Sequence, residues 1–378
     1  MGPVGRDTHP TRHSRHQSGW FWRAPALAVV IGAPWCDDRR MRRLGLAIGW
    51  LVGLVAAGLV GVGVASYLSP KPASVVIRRR FDRNGAERLT ATAPFVPGHV
   101  VSTLDIPYRD DDPDARLDVH RSATSGTGLP TIVWVHGGAW LSGSKDHIAN
   151  YLRVIAGGGC TVVGVGYSIS PRATYPTAAL QLLDALAYLT EHADELGVDA
   201  RRLVLAGDSA GAQISAQVAG MVTSPAYADS IDAHPRITPD QLAGTVLFCG
   251  AFDMSLARGL RGPNRWFVDS VMRSFTGTLN YLDDARFSGI SVVEHLTADF
   301  PPTFVSCGNA DPGLGHTLSL IATLERLGVP HETLLFDADH VPPLGHQYQF
   351  RLGTDAGQEA LAAIQRFIAG LPPRASQP

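Results

Sequence analysis

Cysteine is scarce in this chain: four among 378 residues, at Cys36, Cys160, Cys249 and Cys307. No two stand in a C-x-x-C spacing and none pairs with histidines at zinc-ligand spacing, which excludes a disulfide framework and a structural zinc site. The last three end or flank apolar runs and are expected as buried thiols. Charge is also sparse, at 17% of residues with a formal net charge of −2. No dominant basic patch is present, which argues against a nucleic-acid partner. No segment repeats, so solenoids and propellers are excluded.

Apolar residues, by contrast, make up 45% of the chain. Part of that excess is concentrated near the N-terminus. Residues 1–43 are rich in Arg, His, Pro and Gly without periodicity and read as a disordered basic segment, with His9, His13 and His16 as solvated polar residues. From Leu44 to Leu68 no charge occurs, and about 20 apolar residues suffice to span a bilayer. This stretch is expected to be a single-pass transmembrane anchor that ties the protein to a membrane; a signal peptide cleaved near Ser66 is the alternative. Arg39, Arg40, Arg42 and Arg43 precede the stretch directly while only Lys71 follows it closely, so the large domain is expected on the extracytoplasmic side. Met41 is a candidate start of the chain. Residues 69–97 read as a linker.

Beyond the linker, short β-branched runs alternate with longer amphipathic ones. Strands are expected at Thr131–Gly138, Thr161–Ser168, Arg201–Ser209, Gly244–Gly250, Pro302–Gly308 and His331–Phe336. Helical spacing marks 146–159, 175–196 and 210–222, then stretches near Thr317–Leu327 and Gly357–Ile368. Continuously apolar strands alternating with helices predict an α/β domain over 98–372, a mostly parallel sheet covered on both faces. Such sheets bind ligands at the carboxyl ends of their strands.

One strand end is distinctive. "VLAGDSAGAQIS" places Ser209 between Gly207 and Gly211 where a strand turns at once into a helix. That G-x-S-x-G pattern is a nucleophile elbow, which lifts the serine hydroxyl above the sheet edge. A serine nucleophile needs an imidazole to take its proton, a carboxylate to orient the imidazole, and N–H donors for the oxyanion. "HGGAW" (His136–Trp140) ends the strand two before the elbow and supplies glycine-flanked N–H groups, together with that of Ala210. For the acid, Asp311 follows the penultimate strand in "CGNADPG", and Asp253 one strand earlier competes with it. For the base, "DHVPPLGHQYQF" offers His346 and His340; His346 is favoured because a glycine and a packed aromatic segment let its ring reach forward.

These stretches, with "LDVHR", "VVGVGYSISPRATYP" and "RLVLAGDSAGAQ", resemble the α/β-hydrolase superfamily, in particular the esterase/lipase group similar to hormone-sensitive lipase and to feruloyl-esterase-like hydrolases. The resemblance covers roughly residues 100–370 in the family's order. It implies an α/β-hydrolase fold, a Ser209–Asp311–His346 triad, oxyanion donors at Gly137, Gly138 and Ala139 with Ala210, and carboxylic ester hydrolysis without a cofactor or metal. Many relatives have a third glycine where this chain has Ala139, whose methyl group narrows the space for esters of tertiary alcohols.

Residues 251–300 break the strand–helix rhythm just before the penultimate strand and cluster Trp266, Phe267, Val271, Met272 and Phe275. They read as a lid, with Trp140, Trp266, Phe267 and Phe275 lining the acyl pocket; a pair of peripheral helices is the alternative. A short lid crowded with bulky rings predicts a preference for small-molecule or lipid esters with about four to eight acyl carbons. An acyltransferase using the same serine, and a non-catalytic binding protein on the same fold, are the competing functions.

Overall fold

The computed structural model describes residues 69–122 and 129–372, together with positions 43, 45, 46, 48–50, 52–54, 58 and 61. Two units are distinguished, residues 1–59 and 60–378. The basic segment expected over 1–43 lies outside the described residues apart from Arg43.

Within the larger unit, eight strands form one sheet: β1 (Val100–Pro107), β2 (Arg116–Ser122), β3 (Thr131–Val135), β4 (Val162–Val165), β5 (Leu203–Asp208), β6 (Leu242–Phe248), β7 (Thr303–Cys307) and β8 (His331–Leu335). Their spatial order is β1-β2-β4-β3-β5-β6-β7-β8. β2 runs antiparallel to both β1 and β4, and every pairing from β4 to β8 is parallel. The α/β architecture expected from the alternating runs is therefore present, with an antiparallel pair added at one edge.

The central strands are buried on both sides, and their residues alternate between two cores. Val133, Val135, Leu203, Leu205 and Leu247 face the elbow helix Ala210–Thr223 and the helices Thr177–Glu191 and Leu314–Leu327. Ile132, Trp134, Val204, Ala206, Val246 and Phe248 face the helices Ala149–Ala156 and Asp355–Gly370. The period of two assigns each side chain its face, and burial on both faces explains why these strands lack polar alternation.

Two expectations require correction. Among the described residues no helix is long and apolar enough to cross a membrane, so the single-pass anchor over 44–68, and the extracytoplasmic placement built on it, do not stand. A span needs about 20 apolar residues in one helix. Of that stretch, positions 45, 46, 48–50, 52–54, 58 and 61 are helical; its other positions lie outside the described residues. The longest described helix, Lys71–Thr92, carries Lys71, Arg78, Arg79, Arg80, Arg83 and Arg88.

That same helix corrects the expected linker over 69–97. It has 22 residues, and Ala73, Ile77, Phe81 and Gly85 recur at four-residue spacing along its packed side. Its polar groups dock onto the loops at the strand ends. Arg78 donates from Nε to Leu141 O at 2.8 Å and from Nη2 to Ser170 O at 2.7 Å. Asn150 Nδ2 donates to Leu89 O at 2.8 Å. The arginine-rich composition hid these contacts, because a residue that docks the helix, Arg78, is itself charged.

Candidate active site

β5 ends at Asp208, and the elbow helix begins at Ala210, leaving Ser209 alone to make the turn. Its backbone sits at φ 55°, ψ −120°, a conformation that L-residues avoid and that persists only where the surroundings fix it. Here the Ser209 N–H donates to Phe248 O on β6 at 2.8 Å. A Cβ at Gly211 would collide with the Val135 carbonyl oxygen, so the helix can approach β3 this closely only with glycine there. The hydroxyl thus stands at the carboxyl edge of the sheet, beside the N-terminus of a 14-residue helix whose dipole favours negative charge.

His346 Nε2 lies 2.9 Å from Ser209 Oγ, and His346 Nδ1 lies 2.8 Å from Asp311 Oδ2. The Asp311 carboxylate is fully buried, whereas the imidazole is 39% exposed. Burial works against the carboxylate's charge, but the His346 hydrogen bond and charge and the Gly313 N–H hold its pKa below the usual range. Burial likewise works against the imidazolium, yet Cys249 and Asp311 outweigh it and lift the His346 pKa well above 6.5. Cys249, Asp311 and His346 place ligand-type atoms within 4.8 Å of one another. Both imidazole nitrogens are already engaged, by Ser209 and Asp311, so a metal ion there would have to break that chain of hydrogen bonds.

The competing residues stand elsewhere. Asp253 caps the short helix Met254–Gly259, accepting from Ser255 N–H at 3.0 Å and from Ser319 Oγ at 2.7 Å. The His340 ring packs 4.9 Å from Phe336, and its carbonyl accepts from Asn309 Nδ2 at 3.3 Å.

The H-G-G-A-W loop is held by its histidine: His136 is buried, with burial lowering its pKa to about 4, and its ring stacks on Tyr167 at 4.3 Å. Of the expected oxyanion donors, the Gly137 N–H is already committed, donating to Asp208 Oδ2 at 3.2 Å. Among the described residues, none accepts from the N–H groups of Gly138, Ala139 or Ala210 in this way. Gly138 lies at φ +136°, which only glycine adopts freely, while Ala139 and Trp140 adopt φ 53° and 56°, so this loop concentrates backbone strain in two consecutive residues.

Trp140 and Phe275 come together, stacked at 4.7 Å with an interplanar angle of 11°, and Trp140 Nε1 donates to Gln213 Oε1 at 3.0 Å. Trp266 and Phe267 do not join them. Trp266 is 54% exposed, and Phe267 packs on Phe81 of the helix Lys71–Thr92 at 6.2 Å. All three cap residues belong to one helix, Gly262–Thr276, but only its C-terminal end, where the Phe275 carbonyl accepts from Tyr175 N–H at 2.7 Å, is turned inward.

Sequence reasoning passed over Asp208, Gln347 and Arg88. Asp208 is fully buried and accepts from Trp134 Nε1 at 3.0 Å, from Gly137 N–H, and from Gln347 Nε2. No periodicity or spacing marks a glutamine beside a histidine as a partner of that carboxylate, or an arginine 259 positions before the glutamine as the partner of its amide.

The alpha/beta hydrolase fold family matches this chain over residues 132–340, more than half of its length. The chain belongs to that family. Acetyl esterases of Salmonella paratyphi B and Salmonella choleraesuis are 26% and 28% identical to it over 293 residues, covering 75% of this chain and 82% of theirs. Among solved structures, esterase B from Lactobacillus rhamnosis, inhibited by a tributyrin phosphonate, superposes with a TM-score of 0.67 at 22% identity, covering 78% of this chain and 94% of that one. A hyperthermophilic esterase from Pyrobaculum calidifontis gives 0.61 at 22% identity, covering 78% and 93%. Within the family this hydrolase falls in the esterase/lipase group and is a serine carboxylesterase-like enzyme.

Proposed function

We propose that this hydrolase cleaves carboxylic esters of short acyl chains through a Ser209–His346–Asp311 triad and an acyl-serine intermediate. The observation that carries the reading is the unbroken chain from Ser209 Oγ to His346 Nε2 at 2.9 Å and from His346 Nδ1 to Asp311 Oδ2 at 2.8 Å.

Ser209 Oγ attacks the ester carbonyl carbon as its proton passes to His346 Nε2. The negative oxygen of the tetrahedral intermediate is held by the N–H groups of Gly138, Ala139 and Ala210 and by the helix N-terminus behind them. His346 then gives its proton to the departing alkoxide, which leaves as the alcohol. A water molecule attacks the acyl-serine while His346 takes one of its protons; collapse releases the carboxylic acid and returns the proton to Ser209. Asp311 stays ionised throughout and fixes the tautomer with its proton on Nδ1. Gly137 serves differently from its neighbours, bracing the loop against Asp208.

The acyl preference rests on the stacked pair Trp140 and Phe275 beside the loop, and on relatives named acetyl esterases. Two large rings in contact narrow the space beside the loop, and past that wall each further methylene meets resistance instead of gaining about 0.8 kcal/mol, which favours the short end of the expected range. The segment 251–300 is read as the cap over that space.

A rapid-mixing experiment with p-nitrophenyl acetate tests the reading. The enzyme should release a burst of nitrophenol of about one equivalent per site before the steady rate, and Ser209→Ala should release none. A full burst from Ser209→Ala would overturn it.

A further inference from the structure

We propose that Arg88 is a positioning residue for the ester hydrolysis: acting through Gln347, it locks the backbone segments that present Ser209, His346 and the oxyanion loop into one register. The inference rests on the triad reading given above.

Gln347 follows His346 directly and occupies the left-handed region at φ 59°, ψ 38°, which a residue other than glycine holds only when its surroundings fix it. Its side chain is fixed at both ends. The carbonyl Oε1 accepts from Arg88 Nη2 at 2.5 Å, and Nε2 donates to Asp208 Oδ2. Asp208 immediately precedes Ser209, and the same carboxylate takes the Gly137 N–H at 3.2 Å and Trp134 Nε1 at 3.0 Å. One primary amide therefore joins the residue after the base to the residue before the nucleophile, and that carboxylate in turn joins the strand that feeds the oxyanion loop.

Arg88 makes this bridge directional. A free glutamine amide can turn over and present either end to a carboxylate. With a guanidinium on one side and a carboxylate on the other, only one orientation satisfies both hydrogen bonds. Arg88 is itself held firmly: its guanidinium lies 4.1 Å over the Phe350 ring, and its helix is pinned to Leu141, Ser170 and Asn150 by Arg78 and the Leu89 carbonyl. It also brings the positive charge that faces the buried Asp208 carboxylate across the amide. A displacement of about 1 Å between nucleophile and base can cost about a hundredfold in rate, so the lock bears on turnover more than on substrate binding.

The experiment is a double-mutant cycle on the full chain with Arg88→Met, Gln347→Leu and both together, measuring kcat and KM for p-nitrophenyl acetate, with Arg88→Lys and Ser209→Ala alongside. Each single change is expected to lower kcat about 10- to 100-fold while KM moves less than about threefold, since the proposed role is to position the triad and not to bind the ester. The double variant should be no more than about twofold worse than the poorer single, because both break one chain. Arg88→Lys keeps the charge but loses the planar fork and its stacking, and should recover kcat only in part. Singles with kcat within twofold of the parent, losses that multiply in the double variant, or losses confined to KM would overturn the proposal. If Arg88→Met fails to fold, Gln347→Leu and Arg88→Lys carry the same comparison. Activity surviving in Ser209→Ala contradicts the triad reading instead, whatever Arg88 does.

Discussion

Asn309 clips the loop that carries Asp311 to the loop that carries His346. Its Oδ1 accepts from the Leu344 N–H at 2.8 Å, and the Ala310 N–H next to it donates to the Leu344 carbonyl at 2.9 Å. Asp311 and His346 each lie two residues from that clip, so their 2.8 Å contact depends on it. Asn309→Ala leaves the Leu344 N–H without its partner, and a loss of about 1–3 kcal/mol in unfolding free energy is expected. The kcat should also fall, by about tenfold. Denaturant unfolding and steady-state kinetics on the same preparation check both.

The pH profile should follow His346. In the proposed mechanism the neutral imidazole is the base, so activity is lost as pH falls through its pKa. Burial opposes the imidazolium, but Cys249 and Asp311 raise that pKa well above 6.5, and the ascending limb of kcat/KM should accordingly lie above 6.5. Cys249→Ala removes one of the raising groups and should move the limb to lower pH. A limb unmoved by that substitution would mean that Asp311 alone sets the base.

Much of this arrangement was legible in the sequence, and what escaped it did so for definite reasons. The central strands announce themselves because burial on both faces demands unbroken apolar runs, and the elbow because Gly207, Ser209 and Gly211 meet at the end of one of them. β1 shows no such run, since most of it faces solvent at the sheet edge. The helix Lys71–Thr92 was hidden by its arginines, two of which, Arg78 and Arg88, are docking groups and not part of a solvated face. The apolar stretch over 44–68 suggested a span from hydropathy alone, a measure that does not decide whether the apolar residues fall in one helix long enough to cross. Trp266 and Phe275 sit in the same aromatic cluster in sequence, and only the turn of their helix separates an exposed ring from a buried one.

That separation can be measured. Phe275→Ala removes one ring of the Trp140 stack and should shift the optimum to longer acyl chains among p-nitrophenyl esters, whereas Trp266→Ala should leave the optimum in place. A shift with Trp266→Ala alone would place the acyl group against the outer face of the cap helix.

Away from the strand ends, Lys145 tests the energetics of the sheet edge. Its buried ammonium lies 2.9 Å from Asp118, 2.7 Å from Asp105 and 2.9 Å from Asp146. Burial opposes its charge, but these three carboxylates raise its pKa above the usual value. Lys145→Met leaves the buried Asp118 uncompensated and should cost about 3–5 kcal/mol in denaturant unfolding. A loss under about 1 kcal/mol would show that water already screens the cluster.

The central claim is that Ser209 is the nucleophile activated by His346, and covalent labelling with a fluorophosphonate, mapped by mass spectrometry of the digested protein, tests it most directly. One phosphonyl group per chain is expected, on the peptide that contains Ser209, with labelling abolished in Ser209→Ala and slowed by several orders of magnitude in His346→Ala. An adduct on any other serine, or a His346→Ala variant labelled at the parental rate, would contradict the account.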